Sequence, residues 1–129
     1  MKPFADVPAN RHFGFVLESQ DRAEAVVSLA PGEHLTQETG VIHGGVLATL
    51  ADTSAVYALR QALPETRSMT SIEFKLNFLA PGRADRGPLR ARARVVRQGR
   101  TIGVCDVEVE QGSATIAKGL FTYLFLESR

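Results

Sequence analysis

The chain has 129 residues, 44% apolar and 22% charged, with a formal net charge of +1. That is enough for one domain with a single core, and the near-neutral balance excludes a protein whose whole surface is made for polyanions. One cysteine, Cys105, excludes an intrachain disulfide and fits a reducing compartment. No apolar run approaches the roughly 20 residues of a membrane span, and the opening MKPFADVPANRHFGF lacks the continuous apolar stretch of a secretory signal. The expectation is a soluble, cytoplasmic, single domain over residues 1–129.

In chain order, Pro3 and Pro8 bracket a polar start with a short helical turn at 4–10. Strands are expected at 13–20 and 23–30, where Ala23, Ala25, Val27 and Leu29 alternate with Glu24, Val26 and Ser28. Pro31-Gly32 stops the second, and a loop leads to a long helix at 44–62, ended by Pro64. Four strands in hairpin succession follow. In 71–78, Ile72, Phe74, Leu76 and Phe78 oppose Ser71, Glu73, Lys75 and Asn77. In 89–96, Leu89, Ala91, Ala93 and Val95 oppose three arginines. In 101–110, Ile102 and Val104 are out of phase with Val107 and Val109, which predicts a bulge near Cys105-Asp106. The last strand is expected at 114–126. An antiparallel sheet with one apolar face needs a cover, and the 44–62 helix is the element long and apolar enough. Its remaining apolar surface argues for a second copy against it.

The chemistry concentrates in QETGVIHGGVLATLADTSAVYAL, residues 37–59. Gly44 and Gly45 leave backbone N–H groups unobstructed at the positive end of the helix, able to polarise a carbonyl oxygen; a tight turn alone would also explain them. Asp52 is a lone carboxylate in an apolar run, suited to a nucleophile or general base or to a structural, capped role. From Gly45 it lies about 10 Å along the helix at 1.5 Å per residue. An Asp side chain cannot span that, because reacting atoms must come within about 3–3.5 Å. If glycines and carboxylate share a site, they come from two chains with antiparallel helices.

Gln37, His43-Gly44-Gly45, Asp52, Ser71-Ile72-Glu73-Phe74 and Leu79-Ala80-Pro81-Gly82 together resemble the hotdog-fold acyl-CoA thioesterases of the PaaI-like type. The resemblance runs from about Phe13 to Phe125 and includes the order of elements. It implies an α+β hotdog fold, an antiparallel sheet wrapped around one central helix. It also implies hydrolysis of an acyl- or aryl-acyl-CoA, with no metal and coenzyme A entering only as part of the substrate. Gly44 and Gly45 would polarise the thioester carbonyl, with Gly45 favoured, and Asp52 would attack the carbon or activate water. Gln37, where the family usually has Asn, would orient the carbonyl or the water. Ser71 would hold the attacking water, and His43 would shape the loop or bond near the thioester. Asp at 52 fits the Asp-using branch; the Glu branch expects a Thr where this chain has Val56.

Seven arginines lie from Arg83 to Arg100 against one acid, Asp85. Arg90, Arg92 and Arg94 share a strand face and read as a solvated outer surface. The resemblance assigns coenzyme A contacts to Asn77, Phe78, Leu79, Ala80, Pro81 and Arg83, and to Arg97, Gln98, Gly99, Arg100 and Thr101, where arginines suit phosphates. The expected assembly is an obligate homodimer and a tetramer built as a dimer of dimers. The near-neutral charge and the lack of aromatic residues among the arginines count against a nucleic-acid partner, and the lack of a long apolar run counts against a membrane one. The alternative is a hotdog domain that binds acyl-CoA as a sensor or carrier without cleaving it; a hydratase fits less well, with only His43 to serve it. Val46, Leu47, Leu50, Val56, Tyr57 and Leu59 either line an acyl tunnel or form core.

Overall fold

The computed structural model describes residues 2–127. Its α-helices are α1, Pro8–Phe13, and α2, Gly44–Arg60, with single 3-10 turns at Phe4–Asp6 and Glu33–Leu35. Its strands are β1 Val16–Gln20, β2 Glu24–Leu29, β3 Arg67–Phe78, β4 Leu89–Gln98, β5 Ile102–Gln111 and β6 Ala114–Glu127. They form one antiparallel sheet in the order β1-β2-β4-β5-β6-β3, and α2 packs on β2, β4 and β5. The expected sheet around one helix is there. The start of the chain differs: Pro8 opens a helical turn and Gly14, at φ 68°, closes it, so the first strand begins at Val16 rather than 13.

The hairpin succession holds for β4, β5 and β6 but not for β3. Residues 79–88 carry the chain across the molecule, and β3 pairs with β6 at the sheet edge. The crossing segment is held by backbone bonds that a hairpin loop would not make: Ile42 N–H to Gly82 O at 2.8 Å, and Leu79 N–H to Ile116 O at 2.8 Å. The long helix stops at Arg60, two residues before the expected end, where Leu63 N–H turns back to Arg60 O.

The bulges fall elsewhere than expected. β5 alternates without interruption, with Gly103, Cys105, Val107, Val109 and Gln111 buried and Ile102 and Val104 on the outer face. The phase was misassigned because the inward residue at 103 has no side chain. A Cβ there would sit 2.5 Å from Phe125 Cζ and 2.9 Å from Leu59 Cδ2, so those two side chains fill the place. The extra residues are Glu18 in β1, Val96 in β4, opposite Val104 and Cys105, Ile116 in β6, and Ile72 in β3. The last of these moves a site residue. Before it Ser71 pairs with Tyr123 and after it Phe74 pairs with Phe121, so Ser71 shares the inner face with Phe74 instead of opposing it.

Only one stripe of α2 is buried: Leu47, Leu50, Ala51, Ser54, Ala55, Ala58 and Leu59, spaced three and four apart. Leu50, Ala51, Ala55 and Leu59 have no exposure at all, and with Ala25, Val27, Ala91, Ala93 and Val107 they make the core. Asp52 stands beside this stripe, half-buried, on the shoulder of the helix that faces β6 and β3. Among the described residues no helix is long and apolar enough to cross a membrane.

Candidate active site

Two separate clefts hold the expected site residues. The first, of about 570 Å³, is bounded by α2, the start of β3 and the N-terminal segment, and Asp52, Ser71, Val56, Tyr57, Met69 and Tyr123 line it. Thr53 and Ser54 do not cap Asp52: their hydroxyls bond back to Thr49 O at 2.8 Å and Ala51 O at 2.7 Å. The partner is Tyr123, whose hydroxyl donates to Asp52 Oδ1 and lies 3.1 Å from the Asp52 carbonyl oxygen. Burial first, then the charge of Asp52 and that hydrogen bond, push the Tyr123 phenol far above its ordinary pKa, so it remains a proton donor.

The second cleft, of about 410 Å³, lies at the start of α2, lined by Gln37, Gly44, Phe78, Leu79, Ala80 and Pro81 among others. Gly44 is where the Phe78 ring approaches: a Cβ on it would meet Phe78 Cζ at 3.3 Å. Gly45, the donor favoured from sequence, has its N–H engaged by His43 Nδ1 at 2.9 Å. His43 is thus the side-chain cap of the helix, and that bond leaves the proton of its neutral form on Nε2. Gln37 Oε1 accepts the N–H of Thr39 and, at 2.9 Å, its hydroxyl. Because a backbone N–H fixes the amide oxygen on that side, Nε2 is the atom Gln37 has to offer.

The residues expected to contact coenzyme A divide between the two ends of the sheet. Phe78 to Pro81 line the Gly44 cleft, and Arg83 follows, its backbone bridged to Val41. Asn77 is apart from them, on the outer face in a hollow with Lys75 and Lys118. Arg97 to Thr101 form the β4–β5 turn at the other end, beside the last turn of α2, where Gln98 Nε2 reaches Leu59 O at 3.5 Å. Arg90, Arg92 and Arg94 are spoken for, paired with Glu18 at 2.7 Å and with Glu24 at 2.6 and 3.4 Å. Of the proposed tunnel residues, Leu47, Leu50 and Leu59 are core, while Val56 and Tyr57 face the Asp52 cleft.

Three residues in these arrangements escaped the sequence reading. Tyr123 sits in an inward aromatic row with Phe121 and Phe125; a hydroxyl in such a row needs a polar partner, which was the available signal. Gln111 is buried and fixes the loop bearing Arg83, accepting Arg83 N–H at 2.9 Å and donating to the carbonyls of Arg83 and Gly87 at 2.8 and 2.9 Å. Arg67 ties the other loop, donating to Arg100 O at 2.6 Å and Phe125 O at 3.3 Å. Nothing in the local sequence marks either. Among the described residues, no group of three His, Cys, Asp or Glu side chains is placed to hold a metal ion.

Residues 39–117 match the family model of the thioesterase superfamily. The acyl-coenzyme A thioesterase PaaI of Escherichia coli is 37% identical over 81% of this chain and 72% of its own. The solved structure of that protein superposes with a TM-score of 0.88, covering 97% of this chain and 88% of PaaI, at 27% identity over the wider alignment. A Listeria monocytogenes 1,4-dihydroxy-2-naphthoyl-CoA hydrolase is 27% identical over 74% of this chain and 76% of its own. A Halobacterium salinarum relative is 39% identical over 67% of this chain, which spans about half, 52%, of that protein. The sheet, the helix start and the carboxylate at its shoulder, together with these matches, place the chain in the thioesterase superfamily, with the hotdog fold.

Proposed function

We propose that the protein hydrolyses acyl-CoA thioesters in a site assembled from two copies of the chain. The observation that carries this is the division of the site. Gln37 and Gly44 occupy one cleft, and Asp52 and Ser71 another, with about 12 Å of helix rise between Gly44 and Asp52. Among the described residues, the Gly44 cleft has no carboxylate in its lining and the Asp52 cleft has no part of the α2 N-terminus.

β3 supplies the means of joining them. It is an edge strand of 12 residues, and Ile72, Phe74 and Phe78 on it are 52%, 48% and 55% exposed, an unusual state for an unprotected edge. Its first half borders the Asp52 cleft and its last residue the Gly44 cleft. Antiparallel pairing of β3 with a second copy, about a two-fold axis near its middle, brings each Asp52 cleft against the other copy's Gly44 cleft. The same rotation gathers the 78–83 segment of one chain and the 97–101 turn of the other around one coenzyme A, and outer faces of the sheets are free to join two dimers into a tetramer.

In that site the thioester oxygen lies against Gly44 N–H, since Gly45 N–H is held by His43, and Gln37 Nε2 donates to it. Asp52 of the second copy attacks the carbonyl carbon or takes a proton from a water held by Ser71 that does so. If Asp52 attacks, its C–O bond forms as the C–S bond breaks, and water then cleaves the acyl–Asp52 anhydride to free the acid; if water attacks, it forms the C–O bond of the acid directly. In both routes the thiolate of coenzyme A leaves and is protonated. The acyl group occupies the Asp52 cleft, between Val56, Tyr57 and Met69. The buried thiol of Cys105 fits a reducing compartment, and we read the protein as cytoplasmic.

A thiol-release screen over acyl-CoAs of varied length and aromaticity tests this. The wild type releases coenzyme A from at least one class, and Asp52→Ala retains binding but loses turnover by roughly 10²–10⁴-fold. Binding by calorimetry with no thiol released from any substrate would instead make this a non-catalytic acyl-CoA-binding domain.

A further inference from the structure

Asp52 has two carboxylate oxygens, and the structure treats them differently. Oδ1 accepts the Tyr123 hydroxyl; Oδ2 takes no hydrogen bond from any described residue. Nor is Oδ2 among the solvent-sealed polar atoms left without a partner, so it opens to the cleft that Asp52 lines. Tyr123 is 1% exposed, packed between strands, and it cannot follow a moving carboxylate.

We infer that Tyr123 is the positioning residue of the site: its hydroxyl holds Asp52 by Oδ1 in one rotamer and leaves Oδ2 as the oxygen that meets the water or the thioester carbon. This rests on the proposed role of Asp52. A phenol has one proton, and both the Asp52 carbonyl, at 3.1 Å, and the carboxylate are within its reach. The carbonyl already faces the helix ladder, and a charged acceptor draws the stronger bond, so the proton goes to Oδ1. The arrangement depends on two strand features. Tyr123 is inward because β6 alternates through Phe121, Tyr123 and Phe125, and the Ile72 bulge turns Ser71 inward directly opposite it. Tyr123, Asp52 and Ser71 therefore converge on one cleft from a strand, the helix and the edge strand. A carboxylate on a half-exposed helix shoulder has several rotamers of similar energy, and reaction needs its oxygen in one place.

The test is a double-mutant cycle on turnover. Tyr123→Phe keeps the ring in its row and removes only the hydroxyl. It is expected to lower kcat by on the order of ten- to hundredfold, the range for a hydrogen bond to a charged group, with KM within about twofold, since no substrate contact is lost. In the Asp52→Ala background the same change is expected to cost nothing further. An equal loss in both backgrounds, or unchanged kcat in Tyr123→Phe, would overturn the inference while leaving the role of Asp52 intact. Asp52→Ala as active as wild type would overturn both. A second readout does not depend on the folding of the tyrosine variant: the wild type should show a slowly exchanging, strongly downfield hydroxyl proton in its NMR spectrum that Asp52→Ala lacks. Its persistence in Asp52→Ala would contradict the assignment.

Discussion

The two clefts of this chain differ in what builds them. The Gly44 cleft is made of loop and helix end, and its polar groups are backbone N–H and amide, donors with no charge to give. The Asp52 cleft is made of the middle of the same helix, two strands and the N-terminal segment, and it holds the carboxyl group, braced by a buried phenol. In the proposed reaction the first polarises and the second attacks. An α-helix that must cover a sheet is longer than any side chain, so a single copy keeps these functions about 12 Å apart. In the proposed two-copy site, the apolar edge strand β3 is where the second chain joins and completes the chemistry.

Breaking one cleft at a time separates their contributions. The largest effect is the loss of turnover in Asp52→Ala, which removes the one carboxylate that the described residues bring to its cleft. Next is Gly119→Ala. A Cβ at 119 would sit 1.9 Å from Lys75 O and 2.9 Å from Leu76 Cα, backbone atoms that cannot rotate away. It should force β3 from β6 and cost about 3 kcal/mol of stability, read by thermal or denaturant unfolding. Ser71 then loses its place opposite Tyr123, whereas the Gly44 cleft keeps its His43 cap. The last effect appears only at alkaline pH. Burial, helped by the charge of Asp106, pushes the Cys105 thiol up to about 12 from 9.0. The folded state therefore holds this proton more tightly than the unfolded chain. Its stabilising contribution is complete below pH 9 and is lost as pH rises from there toward 12. Melting temperature should fall above pH 9, and in Cys105→Ala the fall should begin only near pH 10, where the raised Tyr123 takes over.

Much of this was legible in the sequence, and the failures have physical causes. The helix start at Gly44, the glycines and the lone carboxylate could be read because capping and helix rise are local. Helix rise alone separated Gly45 from Asp52. The sheet order could not be read: β3 looks like the first strand of a meander until residues 79–88 are seen bonded to Ile42 and Ile116. Gly103 hid the phase of β5 because its neighbours supply the volume it lacks. The Ile72 bulge hid the direction of Ser71, since alternation by itself cannot reveal one extra residue. Tyr123 was missed because it belongs to an aromatic row that reads as core. Its partner is 71 positions away in the chain.

The sharing of one site by two chains is tested most directly by complementation. Asp52→Ala empties one cleft and Gln37→Ala removes the side-chain donor of the other, a loss of about a hundredfold for a donor of this kind. Carrying different tags and produced together, the two variants form mixed dimers that can be isolated. Each mixed dimer has one site with both changes and one with neither, so it should regain about half the wild-type activity. Mixed dimers no more active than the average of the two parents would contradict a site divided between copies.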